Sequence, residues 1–482
     1  MIVGVGLVVP RAGVFVDSIT HILVLTTPNQ ITLVGLGYTS PPPTAAVPSP
    51  KRELTFYLTG LSTATDGVSL TTVKGTKDGR IFLSSSTNPL TPGGIGGDGC
   101  LYELNYQSAE GWFSKRCSLT NLTSGSIITK AVIPTFLRSL SAVPNKEWII
   151  SLQVDDARGL LYTLLRNCTI EMYQMTSTNG GKNWDGALNK VAKCSDILRQ
   201  SQVICPGSPM LDPRSFEIIA LETISLKEGG ASKVGLVAVT STGESRHTLC
   251  KCPRLTRNAA GVRLYFTHQR RGYTYYTASN QAAALELCHV RPPPSPTATQ
   301  PTPATAFYGQ QVVAPQSAPA NAIAFNSIAN VIYSSGGLLI AANNVSDEMD
   351  VLLVAAPDIG RVARAVAEGT STQNGNASRP FSEVASTITI EGRTWGLAEI
   401  TRASPDLSGV VGLNELATQA NSPRREWVVL TNMAANVIVR QRPVDTLLGV
   451  LEGTALGGGG GNSEVGIFFE RSVHRLLIRN VD

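Results

Sequence analysis

A chain of 482 residues with 42% hydrophobic residues can bury a large core. Its length alone allows roughly two to four domains, although all-β folds often run long as one unit. The formal charge is +5 with only 16% charged residues, and the positive side chains are scattered, which argues against nucleic acid as the main partner. No window reaches the roughly 18 to 20 consecutive apolar residues that a membrane-spanning helix needs.

The opening stretch MIVGVGLVVP is apolar, yet no basic residues precede it and no small-residue cleavage site follows. It reads as folded strand, with the chain starting inside a domain, rather than as a secretory signal. Eight cysteines are an even number, and Asn121, Asn167, Asn344 and Asn376 each open an Asn-x-Ser/Thr sequon. With the cysteines strewn through apparent strands and no signal peptide, reduced intracellular thiols are expected.

Strand, short turn, strand is the dominant pattern from there on. HILVLTT and ITLVGLGY flank Pro28 and Asn29 as a hairpin. VSLTTVKGT and RIFLSSS are divided by Lys77-Asp78-Gly79, and Asp-Gly is a strong hairpin signal. A second Asp-Gly, Asp98-Gly99, leads into CLYELNYQ. The unit recurs in WIISLQV, GLLYTLL and TIEMYQM, then in FEIIALETISL, VGLVAVTS and GVRLYFT. It returns in NVIYSS, GLLIAANN and VLLVAAP, and finally in TWGLAEI, EWVVLTN and NVIVRQR. Recurring groups of about four short antiparallel strands predict an all-β protein with a β-propeller fold, because five or six groups are too many for one sandwich. At roughly 40 to 45 residues per blade, the surplus length must lie in insertions. Stretches 40–50, 91–99 and 291–304 are rich in proline or glycine and read as blade-to-blade loops. The propeller is thus expected over residues 1–450. A glycine-rich linker follows over 451–482, and Val465, Phe468, Phe469 and Leu476 there have helical spacing, predicting the start of an α-helical region.

Few motifs point to chemistry. VGVGLV lacks the third glycine of a dinucleotide-binding turn, and Pro10-Arg11 stands where a helix should begin. Cys250, Cys252, His247, Cys288 and His289 lack the ligand spacing of a usual zinc site, so neither metal nor cofactor is expected. STNGGKNW, Ser177 to Trp184, resembles the aspartate-box hairpin of sialidase propellers with Asn179 in place of Asp, a structural turn that speaks to fold. A sialidase-like glycosidase is the enzymatic alternative, and it needs an arginine cluster with a Tyr/Glu pair.

The segment 124–140 differs from its surroundings. Pro134 suits a first helical turn, and Ile133, Phe136, Leu137 and Leu140 then fall on one face at i, i+3, i+4 and i+7. The opposite side is mostly hydroxyl with little charge, the composition of a helix that inserts between lipids of a curved bilayer. Packing on the protein's own surface, in a soluble interaction module, is the competing reading.

VGLVVPRAGVF…ITHILVLTTP, GRIFL, DGCLYELNYQ…EGWFSKRC, GVRLYF and RPVDTL resemble, in the same order, the N-terminal β-propeller of the large inner-ring scaffold nucleoporins of the nuclear pore complex, the nucleoporin one-fifty-five / one-seventy family. The resemblance spans Val5 to about Leu448, and it implies a seven-bladed propeller ahead of a long α-solenoid, with this chain's first blade incomplete and the ring unclosed. It implies a scaffold in the nucleus, at the nuclear envelope, with no catalysis, no small-molecule substrate and no direct nucleic acid. Linker nucleoporins, pore membrane proteins and the curved membrane surface are the implied partners in nucleocytoplasmic transport of protein and mRNA. The family's membrane-binding motif falls on the segment already singled out, with Ile128, Val132, Ile133, Phe136, Leu137 and Leu140 as the contacts.

Overall fold

The computed structural model describes residues 1–39, 53–85, 98–108, 116–123, 148–176, 186–206, 211–213, 216–224, 234–242, 263–267, 285–291, 328–334, 338–343, 346–357, 383–400, 423–440, 442, 444–445, 448 and 476–480. They form six four-stranded antiparallel sheets, each built from four strands consecutive in sequence. The first holds β1 (Gly4–Val8), β2 (His21–Thr26), β3 (Gln30–Thr39) and β4 (Glu53–Ala64). The second holds β5 (Thr72–Gly75), β6 (Ile81–Ser84), β7 (Leu101–Tyr106) and β8 (Cys117–Asn121). The third holds β9 (Ile149–Asp155), β10 (Leu160–Leu165), β11 (Ile170–Met175) and β12 (Leu188–Cys194). The fourth holds β13 (Phe216–Thr223), β14 (Val234–Thr242), β15 (Arg263–Thr267) and β16 (Glu286–Arg291). The fifth holds β17 (Ile328–Ser334), β18 (Leu338–Asn343), β19 (Met349–Pro357) and β20 (Glu383–Glu391). The sixth holds β21 (Thr394–Ile400), β22 (Arg425–Thr431), β23 (Ala435–Arg440) and β24 (Leu476–Asn480). One short helix, α1 (Ile197–Ile204), follows β12.

First strands pack on one another in succession, β1 on β5, β5 on β9, β9 on β13, β13 on β17 and β17 on β21. This is the radial order of a propeller, with the first strand of each blade nearest the axis. Crowding there selects glycine. A Cβ on Gly6 would lie 2.4 Å from Val73 Cγ1, and one on Gly75 would lie 2.5 Å from Val8 Cγ1. The Asp-Gly turn between β5 and β6 is constrained twice, because Gly79 has φ 83° and a Cβ on it would meet the Arg11 backbone nitrogen at 2.3 Å.

Among the described residues, five apolar clusters join the six blades in pairs. Ile22, Val24 and Leu33 meet Val73, Leu83 and Leu104 between blades one and two. Phe82 and Leu101 meet Leu152 and Leu161 at the next seam. Tyr162 and Met172 meet Ile218 and Leu236 between blades three and four. Val239 meets Ile328 and Leu353 between four and five, and Ile340 and Leu352 meet Trp427 and Ile438 between five and six. No comparable packing links β21 back to β1 among the described residues. Among the described residues, five such seams join the six blades in order.

The described residues form six four-stranded sheets, and β1 pairs along its whole length with β2 in the first of them. One sequence expectation changes. The helical reading of the C-terminal segment fails at Leu476, because Leu476–Asn480 pairs antiparallel with Arg440–Asn436 as β24. The free edge of β23 offers a row of backbone donors and acceptors, and pairing satisfies them where an isolated turn of helix would not. Val465, Phe468 and Phe469 lie outside the described residues, as do the insertions over 40–50, 91–97 and 292–304.

Candidate interaction surfaces

Polar groups lock the seams and fix which surfaces remain free. Arg80 on blade two holds Glu103 with both ends of its guanidinium, at 2.7 and 2.9 Å, and gives a third hydrogen bond to the Gly186 carbonyl ahead of β12. Its guanidinium carbon also lies 4.9 Å from the centre of the Phe82 ring. Such a fork on a buried carboxylate satisfies both charges at once. Arg158 repeats the device one seam on, pairing with Asp155 at 2.5 Å and donating to the Ile224 carbonyl at 2.8 Å. Between blades five and six, Trp427 Nε1 donates to Ser334 Oγ at 2.8 Å and the Thr394 amide donates to Asp350 Oδ2 at 2.6 Å.

Near the axis, Glu222 on β13 is partly buried, and burial pushes its carboxyl up to about 7. Lys74 on β5 and the Tyr333 backbone amide on β17 pull it back down. Three first strands, far apart in sequence, thus converge on one acid.

At the rim, a pocket of about 660 Å³ opens where the β10–β11 turn, the end of β12, α1 and the start of β13 meet. The turn is shaped by Cys168, which has φ 58°, while its amide bonds the Leu165 carbonyl and the Thr169 amide bonds Asn167 Oδ1. Burial pushes the Cys168 thiol up, so it stays protonated and unreactive at neutral pH. Helix α1 buries Ile197 and Ser201, and Ser201 Oγ returns a bond to the Ile197 carbonyl at 2.7 Å. The sequence reading missed this helix, although Ser195-Asp196 followed by Ile197, Ser201 and Ile204 at i, i+4 and i+7 carries its signal. Exposed Arg166, Lys193 and Arg199 surround the mouth against Asp196, with Phe216 and Leu198 inside. Such a lining suits a short peptide better than a reacting substrate.

Among the described residues, blade one carries several exposed apolar side chains on one face. Leu7, Leu23, Val34 and Leu58 stand in register across the sheet, as do His21, Leu36 and Phe56, then Tyr38 and Leu54, on the face away from blade two. Leu58 is 95% exposed, Phe56 and Leu7 61% each, and Val5 and Tyr38 55% each.

The sequence-predicted membrane residues Ile128, Val132, Ile133, Phe136, Leu137 and Leu140 lie outside the described residues, as do the aspartate-box stretch and His247, Cys250 and Cys252. Among the described residues, no three His, Cys, Asp or Glu side chains gather to hold a metal, and no helix is long and apolar enough to cross a membrane. Among the described residues, Cys100, Cys117, Cys168, Cys194 and Cys205 form no disulfide.

A family model described as Nup133 N terminal like, a nucleoporin N-terminal domain, matches residues 1–435. The chain belongs to this nucleoporin family. Among relatives of this nucleoporin, the probable nucleoporin C890.06 of Schizosaccharomyces pombe is 29% identical over 492 residues, covering 97% of this chain and 32% of the relative. Nucleoporin NUP170 of Chaetomium thermophilum is 31% identical over 452 residues, covering 92% and 28% respectively. Nuclear pore complex protein Nup154 of Drosophila melanogaster is 28% identical over 488 residues, covering 98% and 30%. The chain therefore spans about a third of the length of these relatives. Among solved structures, the Chaetomium thermophilum Nup170 NTD in complex with Nup53 superposes with a TM-score of 0.68 at 27% identity, covering 98% of this chain and 57% of that one. Membership places the chain among the proteins of the nuclear pore complex at the nuclear envelope, and the propeller expected from its strand pattern is the fold that it has.

Proposed function

We propose that this nucleoporin propeller is a non-catalytic scaffold element of the inner ring that binds linker nucleoporins and supports nucleocytoplasmic transport. The observation that carries the reading is the agreement, over 98% of the chain, with a Nup170 N-terminal domain solved together with Nup53. The propeller supplies a rigid body whose seams are closed by buried forks, and its rim offers concave surfaces for short segments. The test is calorimetry of the purified chain with a Nup53 fragment. Saturable binding supports the reading, and no heat at tens of micromolar protein defeats it.

Contact with the curved pore membrane is part of the proposal. Phe136, Leu137 and Leu140 would each contribute roughly 1.5 to 3 kcal/mol if fully buried, which gives reversible attachment from one copy and stable attachment from many. Flotation with small and large neutral vesicles tests it. Preferential binding to small vesicles, lost in Phe136→Asp/Leu137→Asp with folding intact, is the expected result; binding that ignores vesicle size, or survives the double substitution, removes the membrane role.

A further inference from the structure

We propose that the rim pocket between blades three and four seats a linear segment of another protein in which acidic residues flank an apolar anchor, an assignment that rests on the scaffold reading above. The pocket's volume of about 660 Å³ falls within the range of about 300 to 1,000 Å³ that ligand sites occupy. Its mouth carries exposed Arg166 on the β10–β11 turn, Lys193 on β12 and Arg199 on α1. Asp196 is the one carboxylate among the described lining residues. The acids that neighbour the site in sequence, Asp212 and Glu217, line no part of it.

Charge complementarity selects the occupant. Arg80, Arg158, Arg425 and Arg442 each hold a carboxylate at between 2.5 and 2.8 Å. Arg166 and Arg199 hold none among the described residues, so the ion pairs that neutralise guanidinium groups elsewhere in the propeller are missing at this mouth. A guanidinium takes a carboxylate through two parallel hydrogen bonds, which favours an acidic peptide. The first turn of α1, which lines the pocket, holds no acidic residue and has no side-chain cap, so the helix adds a smaller positive field. Half-buried Leu198 and Phe216, with the buried Ile197, give an apolar anchor its place. The walls are held before any partner arrives. Gln200 Nε2 donates to the Ser195 carbonyl at 2.8 Å, Gln202 Nε2 to the Leu211 carbonyl at 2.9 Å and the Phe216 amide to the Asp212 carbonyl at 3.0 Å. Little further ordering is then needed on binding. A lysine-rich segment meets like charge here, and a wholly apolar one leaves the mouth unpaired.

The experiment is calorimetry of the full 482-residue chain with an unlabelled peptide of about twelve residues, glutamate and aspartate around a central leucine-phenylalanine pair, beside a twin with lysine at every acidic position. The expected result is saturable binding of the acidic peptide alone, weakened as salt rises from about 50 to 300 mM. Arg166→Glu/Arg199→Glu is expected to weaken it about tenfold or more, Arg166→Lys/Arg199→Lys to retain most of it, and Leu198→Ala to weaken it with the salt dependence unchanged. Arg393→Glu, in the β20–β21 turn, is expected to leave it unchanged, which separates the pocket from net charge. Arg166 and Arg199 are exposed, and it is the Arg166 amide that bonds the Trp148 carbonyl, so these substitutions leave folding intact, which circular dichroism checks. No binding of the acidic peptide, equal binding of the lysine twin, or an affinity unchanged by the double charge reversal would each overturn the proposal. A Nup53 fragment titrated in parallel keeps the two readings apart. If it binds and the acidic peptide does not, the pocket assignment falls and the scaffold reading stands; if the acidic peptide binds and the fragment does not, the reverse holds.

Discussion

The two faces of blade one are made from nearly the same residue types, and they meet opposite surroundings. On one, Val8, Ile22, Val24, Ile31 and Leu33 are sealed against β5, β6 and β7 of the second blade. On the other, Val5, Leu7, Leu54, Phe56 and Leu58 reach solvent. Alternation along β2 and β3 is apolar on both sides, as in strands meant to be covered on both sides. What separates the faces is the neighbour: the covered side has glycine-permitted contact with the next first strand, and the open side has no described element opposite it.

The largest effect that would sharpen this contrast is a charge on the covered face. Ile22→Asp is expected to cost more than about 4 kcal/mol, because the carboxylate finds neither water nor a partner, whereas Leu7→Asp on the open face of the adjoining strand should change stability by less than about 1 kcal/mol. Urea denaturation of both variants measures the gap, and equal costs would show that the open face is covered in solution. Next comes Arg80→Ala, which strands Glu103 at a buried seam and should destabilise by about 3 to 5 kcal/mol, while replacing both residues together by apolar ones should recover much of the loss. Gly6→Ala follows at about 1 to 3 kcal/mol, since the new methyl group presses on the stiff Val73 side chain.

A smaller effect tests the axis. Glu222 has a carboxyl raised from its ordinary 4.5 to about 7, so the folded state binds more protons than the unfolded state between those values. Its contribution is therefore fully present below about pH 4.5 and is lost as the pH rises through about 7. Glu222→Gln should remove that decline and raise stability at pH 8 by about 1 to 2 kcal/mol, read from denaturation midpoints across pH. A decline of the same size in the variant would assign the pH dependence to other groups. Smallest of all, Leu58→Ser should leave the midpoint within about 0.5 kcal/mol.

Much of the fold was legible. The Asp-Gly turn at Asp78-Gly79 placed the β5–β6 hairpin because only glycine accepts its φ there, and the PNQ turn placed β2 and β3. Strand periodicity found the groups in blades three to six. Helix α1 was passed over because eight residues carry little periodic signal, and its Asp196 start has φ 54° with no side-chain cap bond. The rim pocket was not legible at all, since Arg166, Lys193 and Arg199 come from a turn, a strand and a helix that share no motif.

By itself, the sequence determined the strands, the tight turns between them and the repetition that stacks four-stranded sheets, because backbone sterics and side-chain alternation are local. Tertiary structure alone decided that, among the described residues, six sheets are joined by five seams, that Glu222 meets Lys74 near the axis, and that one apolar face of blade one is sealed while its twin has exposed side chains and no described element opposite it. Burial is a property of what lies opposite, and a strand with apolar residues on both faces does not encode which of them will find a neighbour.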